Sequence, residues 1–461
     1  MPDLTIQKWF PSVTKAEWIQ QVTTDLKGKS IESLNRTTLD GLETEPFYTA
    51  EDLANQSRTE NRSTLTTGRP LGWLTVPDVP FTTEQETNTI LRDWLTKGAD
   101  GFRIDLSGFE VAQLDWLRLL NGLKLSETPV WLRTNGQSGQ AANALNRFLP
   151  YQLKGGFFDE PIARRLQFGN DPKEAIAQVT EATRLTLNSP QFRTITAGST
   201  VFHNSGATAT QELAFTLNTV VDLYDRLTDS GLTVEQIAPK TALSVSVGTS
   251  YFTEIAKLRA LRILWQRLLA FYDASFIQAG GPIPQSSFIH AQTSTFYDST
   301  ATPYNNLLRA TTEAMAAVIG GCDSLTIHPY DAVFEEPDAF SNRIARNISI
   351  LLKEEAHLDK TLDPSAGSYY LETLTKQLVG SAWDLFLKVE NLGGLLKAVE
   401  SGFIQEEIDK AYQAKVDAVE NGRILVGVTK FRSNEAAVAS PERSPTNEPG
   451  LAERRLAERF E

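Results

Sequence analysis

The chain has 461 residues, with 44 Lys and Arg against 57 Asp and Glu, for a formal net charge of −13. The length fits two or three ordinary domains or one large barrel with additions, and 41% hydrophobic with 22% charged residues is ordinary globular composition. The excess of carboxylates argues against nucleic acid or an anionic lipid surface as a partner. The single cysteine, Cys322, excludes an internal disulfide or a Cys-based zinc site and fits a reducing, cytoplasmic setting.

The N-terminus shows no basic start followed by an apolar stretch, as a secretory signal would. No apolar run approaches the ~20 residues that span a bilayer. PSVTKAEWIQQVTTDL predicts a short helix, with Thr14 as N-cap and Glu17 three residues on. NQSRTENRSTLTTGRP, residues 55–70, has too few apolar side chains to build core and reads as a linker or arm. Residues 1–70 are therefore expected to form an N-terminal extension.

From residue 71 short apolar runs alternate with amphipathic helical stretches. The runs are LGWLTVPDV (71–79), GADGFRIDLSG (98–108), TPVWLRTNG (128–136), LKGGFFDEP (153–161), RTITAGSTVF (193–202), ALSVSVGTS (242–250), SSFIHAQTS (286–294) and DSLTIHPYD (323–331). Eight such runs predict parallel β/α units, and a closed (β/α)8 barrel over 71–355 is the natural count. An open doubly wound sheet is the alternative. It usually carries a Gly-rich phosphate loop after its first strand, and VPDVPFTTEQ is not one. Beyond residue 355 the pattern is helical, followed by a strand-like RILVGVTKF (423–431), a Pro/Ser/Glu-rich linker (432–450) and a charged helix, LAERRLAERFE.

Several runs end in polar residues, where barrel enzymes place their sites. His203, His290, Gln292 and Arg103 are the candidates for a barrel mouth. Each has a plainer reading. His290 and Gln292 either touch a ligand or bond neighbouring mouth groups. His203, with an ordinary pKa of ~6.5, is either a proton donor or a satisfied structural group. Arg103 and Asp105 either form a structural ion pair or contact substrate, and a buried charge there needs a partner. The histidine His328, before Pro329, stands at another strand end. Asn305, Asn306 and Arg309 read as capping and turn chemistry. EEIDK and the final AERRLAERFE read as solvated helical faces, and Cys322 as buried and inert.

GATATQELAFTL (206–217), YFTEIAKLRALRILW (251–265), HAQTS (290–294), PYNNLLRATTEAMAAVIGG (303–321), FSNRIARNISILLKEE (340–355), DPSAGSYYLETLT (363–375) and VENLGGLLKAVESG (389–402) resemble methylmalonyl-CoA mutases, in the family's order. The resemblance implies a substrate barrel threaded by acyl-CoA, capped by a separate cobalamin domain, that interconverts methylmalonyl-CoA and succinyl-CoA by a radical. The cofactor carries the hard step, and the protein orients and shields it.

Three departures follow. None of the histidines His203, His290, His328 and His357 lies in a D-x-H-x-x-G loop, and no cobalamin domain is expected here. Counting back from Gly206, the family's Tyr-His pair falls on Thr200 and Val201, while His203 falls where the family has glutamine. GRPLGWLTVPDVP, without a tyrosine, replaces the Tyr/Arg-rich substrate segment. The resemblance is thus to the small, non-catalytic subunit of heterodimeric mutases. It implies a large catalytic subunit as partner, adenosylcobalamin bound by that partner, acyl-CoA met only through the complex, and no catalytic residue here. The alternatives are the substrate barrel of a split mutase whose cobalamin domain is a separate chain, and a CoA-thioester binder without radical chemistry.

Overall fold

The computed structural model describes residues 13–53, 69–149, 151–273, 287–432 and 450–461. The linkers expected at 55–70 and 432–450 fall almost wholly outside them.

The Thr14 cap forms as the sequence predicts. Its hydroxyl accepts from the Glu17 amide, and the Glu17 carboxylate accepts from the Thr14 amide, opening the helix Lys15–Asp25. A small antiparallel pair follows, β1 (Arg36–Thr37) and β2 (Glu43–Thr44). Leu42, between them, is buried in the main core, so this part of the extension lies against the body.

All eight expected runs contain strand. β3 (Leu74–Thr75) and β4 (Asp78–Pro80) come from the first run. Then come β5 (Phe102–Asp105), β6 (Val130–Arg133), β7 (Gly155–Phe157), β8 (Phe192–Arg193), β9 (Ile195–Gly198), β10 (Thr241–Val247), β11 (Phe288–Thr293) and β12 (Ser324–Thr326). They make two parallel five-stranded sheets, ordered β4-β5-β6-β7-β8 and β3-β12-β11-β10-β9. The sheets meet at two short breaks. Pro77 has no amide to give a ladder. There the chain changes neighbour: the Val76 amide donates to Leu325 O at 2.9 Å, and Pro77 O accepts from the Arg103 amide at 3.0 Å. At the other break, Thr194 N donates to Lys240 O at 3.0 Å, and Thr196 Oγ1 crosses to Phe157 O at 2.7 Å.

Side chains alternate across these strands. Phe102, Ile104, Val130, Leu132 and Phe157 face helices in one apolar cluster. Leu243, Val245, Ile289, Ala291 and Leu325 face helices in another, with the helices Ala209–Asp229, Tyr251–Tyr272 and Tyr369–Asn391. The opposite faces meet each other. Val76, Trp131, Phe158 and Ala242, with Leu74 and Phe288, form one interior cluster drawn from both sheets. Trp131 stacks on Phe158 at 4.6 Å and on Phe288 at 5.3 Å, and the Arg193 guanidinium lies 4.1 Å over Phe288. Room for the indole comes from Gly156, where a Cβ would lie 2.7 Å from the Trp131 ring and 1.8 Å from Arg193 O.

Two expectations fail. RILVGVTKF is not a strand; it holds only a single bridge, Val426 to Lys430. Gly427, at φ 78°, turns the run back on itself before a ladder can form. LAERRLAERFE is not a solvated helix. It makes one 3₁₀ turn, Ala457–Arg459, and buries Leu451, Arg455, Leu456 and Ala457, because tertiary contacts outweigh the helical propensity of so short a segment. Among the described residues no helix is long and apolar enough to cross a membrane.

Trp131→Ala removes the centre of the interior stack. We expect a loss of about 3–5 kcal/mol, read as a lower urea midpoint with an unchanged m value.

Candidate functional site

The strand ends of β4, β5, β10 and β11 bring three of the four candidates together. Arg103 alternates inward between Phe102 and Ile104 on β5 and is 8% exposed. Its partner is Asp78, not Asp105: Nε and Nη2 grip the two carboxylate oxygens, the latter at 2.6 Å. Asp105 instead lies 3.5 Å from Arg133. Register explains the choice, since Asp78 is directly opposite Arg103 on β4. The guanidinium beside it holds Asp78 down at about 2, against the opposing effect of burial.

Arg103 Nη1 donates to Gln292 Oε1 at 2.7 Å, and Gln292 Nε2 donates to Thr200 Oγ1 at 3.1 Å. Two residues along β11, His290 is fully buried. Its Nδ1 pairs with Ser324 Oγ at 2.8 Å, its ring lies 4.7 Å from Phe158, and Nε2 has no hydrogen-bond partner among the described residues. Burial, aided by the Arg103 charge, holds His290 neutral, well below its ordinary pKa. His328 is likewise pushed down, to about 4, by burial and against the pull of Asp78.

His203 is elsewhere. It belongs to the helix Thr200–Ser205 that follows β9 and lies past the ends of β10 and β11, beside Gly248 and Ser294, in a second network. Its Nδ1 donates to Glu212 Oε1 at 2.8 Å, and Nε2 pairs with Ser294 Oγ at 2.7 Å. Glu212 Oε2 accepts from Ser199 Oγ and from Lys257 Nζ, both at 2.9 Å. Lys257 also reaches Ser246 O at 2.8 Å and the Glu254 carboxylate at 2.7 Å. Glu212 stands on a helix begun by a capping box at Thr208 and Gln211, inside the GATATQELAF motif. Despite burial, the Lys257 and His203 neighbours hold its carboxyl down at about 2.

Glu212, Lys257 and Asp78 were missed by the sequence reading, as was the role of Trp131. The signal for the first two was a charge set among small and apolar residues in TQELAF and EIAKL. Asn306, read as a turn former, is a buried brace: its Nδ2 donates to Ser299 O at 2.9 Å and Tyr330 O at 3.0 Å. Cys322 is buried, which pushes its thiol up to about 12. Among the described residues no group of three or more His, Cys, Asp or Glu is placed to hold a metal ion.

The family model described as methylmalonyl-CoA mutase matches residues 111–458. The chain belongs to the methylmalonyl-CoA mutase family. It is 34% identical over 439 residues to the methylmalonyl-CoA mutase small subunit of Porphyromonas gingivalis, covering 92% of this chain and 70% of that one. It is 31% identical over 487 residues to the small subunit of Streptomyces virginiae, covering 98% and 76%. The methylmalonyl-CoA mutase large subunit of Porphyromonas gingivalis is 31% identical over 389 residues, covering 76% of this chain and 53% of that one. In this mutase-family chain the HAQTS motif thus supplies a buried bridge, Gln292, and a neutral ring, His290, while GATATQELAF supplies Glu212.

Glu212→Gln leaves Lys257 short of a carboxylate. It should cost about 3–5 kcal/mol, and Glu212→Leu combined with Lys257→Met should cost less than Glu212→Gln alone. Thermal unfolding of both proteins checks the order.

His328 carries a pH signature. Its folded pKa of about 4 lies below the ordinary histidine value of 6.5, so the unfolded chain takes up the proton first. The stability it contributes is complete above pH 6.5 and is lost as pH falls toward 4, at up to ~1.4 kcal/mol per pH unit. Asp298, raised by burial to about 7, acts with the opposite sign. The measurement is therefore a difference: His328→Asn should lose less stability than the parent between pH 7 and 4.5.

Proposed function

We propose that this chain is the non-catalytic small subunit of a heterodimeric, adenosylcobalamin-dependent methylmalonyl-CoA mutase. A large subunit would bind the cobalamin and carry the interconversion of methylmalonyl-CoA and succinyl-CoA. In this reading the two sheets close over residues 71–355 into one (β/α)8 barrel, with 356–461 packed upon it and the N-terminal extension available to the partner.

The observation that carries the reading is the interior cluster. Trp131, Phe158 and Phe288 fill the space between the inward faces of strands from both sheets, where the family's acyl-CoA would thread. The strand-end chemistry agrees. Val201, at the position of the family's histidine, has no proton to give and is 3% exposed. Thr200, at the tyrosine position, accepts from Gln292. Arg103, His290, Gln292 and His203 serve as structural groups in this reading, leaving no catalytic residue.

The donor set at these sites does not fit the lower ligand of a cobalamin. His203 uses both ring nitrogens on Glu212 and Ser294, and His290 lies buried against Phe158. A partner that brings the cobalamin accords with the pairing of large and small subunit names in Porphyromonas gingivalis. A cytoplasmic complex accords with a lone, buried thiol.

The test is an assay of the purified chain with adenosylcobalamin and methylmalonyl-CoA, with and without the large subunit, alongside calorimetry with CoA esters. We expect no turnover and no heat of binding from the chain alone, and turnover with the partner. Turnover on adding only a separate cobalamin domain would instead favour the split enzyme.

A further inference from the structure

Residues 450–461 lie against the helices that follow β7 and β9 and the loop that follows β11, and apart from one 3₁₀ turn they belong to no helix or sheet. Three backbone amides tie them down: Leu451 N to Leu166 O at 2.7 Å, Arg454 N to Asn204 O at 2.7 Å and Leu456 N to Phe296 O at 2.8 Å. The acceptors stand behind three different strands, β7, β9 and β11. Two apolar anchors enter the body. Leu451 joins the main core, and Leu456 packs with Phe296, Val416 and Val419. A clasp follows these anchors. Arg455 pairs with Glu461 through two bonds of 2.8 Å and donates to Asp298 O at 3.0 Å. Glu461 accepts from Thr300 N at 2.6 Å and Thr300 Oγ1 at 2.8 Å.

Beneath this segment runs an unbroken series of hydrogen bonds. Leu456 holds the carbonyl of Phe296, and the Phe296 amide donates to Ser294 Oγ at 3.1 Å. Ser294 meets His203, His203 meets Glu212, and Glu212 meets Lys257. Arg454 holds the carbonyl of Asn204, the residue next to His203.

We propose that residues 451–461 are a separable strap: a peptide docked in a groove of the strand-end face that, through Phe296 and Ser294, sets the position of His203. The strap makes single bonds to the helices Pro161–Phe168 and Thr200–Ser205 and to the loop after β11 rather than a ladder, and Arg454 adds contacts with Asp409 and the Tyr412 ring, so its hold is in separate point contacts, as at peptide interfaces. The groove is thus a peptide-binding site occupied by the chain's own segment, and this assignment is independent of whether the chain is catalytic.

The test uses the full chain with a protease site placed within residues 433–449. After cleavage under native conditions, a fluorescent synthetic peptide of residues 450–461 is added. The strap predicts that the nicked protein stays folded, that the labelled peptide exchanges in, and that Arg455→Met or Leu456→Ala in the peptide weakens its binding at least tenfold. The chain has four histidines, so ring resonances can be assigned, and displacement should shift His203 while leaving His357 in place. Unfolding on cleavage, exchange only through global unfolding, or exchange that leaves His203 unmoved would each overturn the proposal. In the intact chain, the amides of Leu451, Arg454 and Leu456 should exchange hydrogen faster than those of β10. Equal protection would also overturn it.

Discussion

A parallel sheet with helices on one face must find something for its other face to touch. Here the inward faces of two sheets supply each other, and the contact that makes this work is a Trp131 indole held between Phe158 and Phe288. Interiors tolerate little empty volume. Once those three rings are in place, the remaining inward positions are constrained to small or polar side chains: Ala242, Ser244, Ser246, Ser324 and Thr326 on neighbouring strands. The polar members then need partners: Ser324 meets His290, Ser246 meets Thr200 and Gln292, and Thr326 donates to the Val76 carbonyl. The packing at the centre therefore governs the hydrogen bonding around it.

Charge is handled in two separate places by different means. At the strand ends, Arg103 is neutralised by Asp78 from the adjacent strand and steadied by Gln292. Among the outer helices, Lys257 lies between Glu212 and Glu254, with His203 as a fourth member. The second arrangement places its ionised groups out of water, and the first buries Arg103 while Asp78 stays partly exposed; a buried charge is unfavourable unless it is met. In both, the arginine or lysine is already engaged by carboxylates of the chain itself.

Much of the fold was legible because periodicity survives tertiary context. All eight strand runs and the long helices after residue 200 stand where the spacing of apolar residues puts them. What misled was local pattern without room to act: RILVGVTKF has strand composition but turns at Gly427, and LAERRLAERFE has helical composition but is held by Leu451, Arg455 and Leu456. The candidate site was half legible. Strand alternation gave Arg103, His290 and Gln292 an inward face, and register placed them close together. His203 has the same chemistry and also stands at the strand ends, beside Ser294 just past β11, but it sits on the helix after β9, where its ring meets Glu212 rather than the Arg103 group. Asp78 was invisible because nothing in a sequence says which strand will lie beside which.

The pairing of Trp131 with Gly156 makes the two positions mechanically interdependent. A methyl group added at Gly156 collides with the indole and with a strand carbonyl, while an indole removed at Trp131 leaves a hole over a residue too small to fill it. Either change alone carries a penalty, of overpacking in one direction and of a cavity in the other, so a replacement tolerated at one position must be matched at the other.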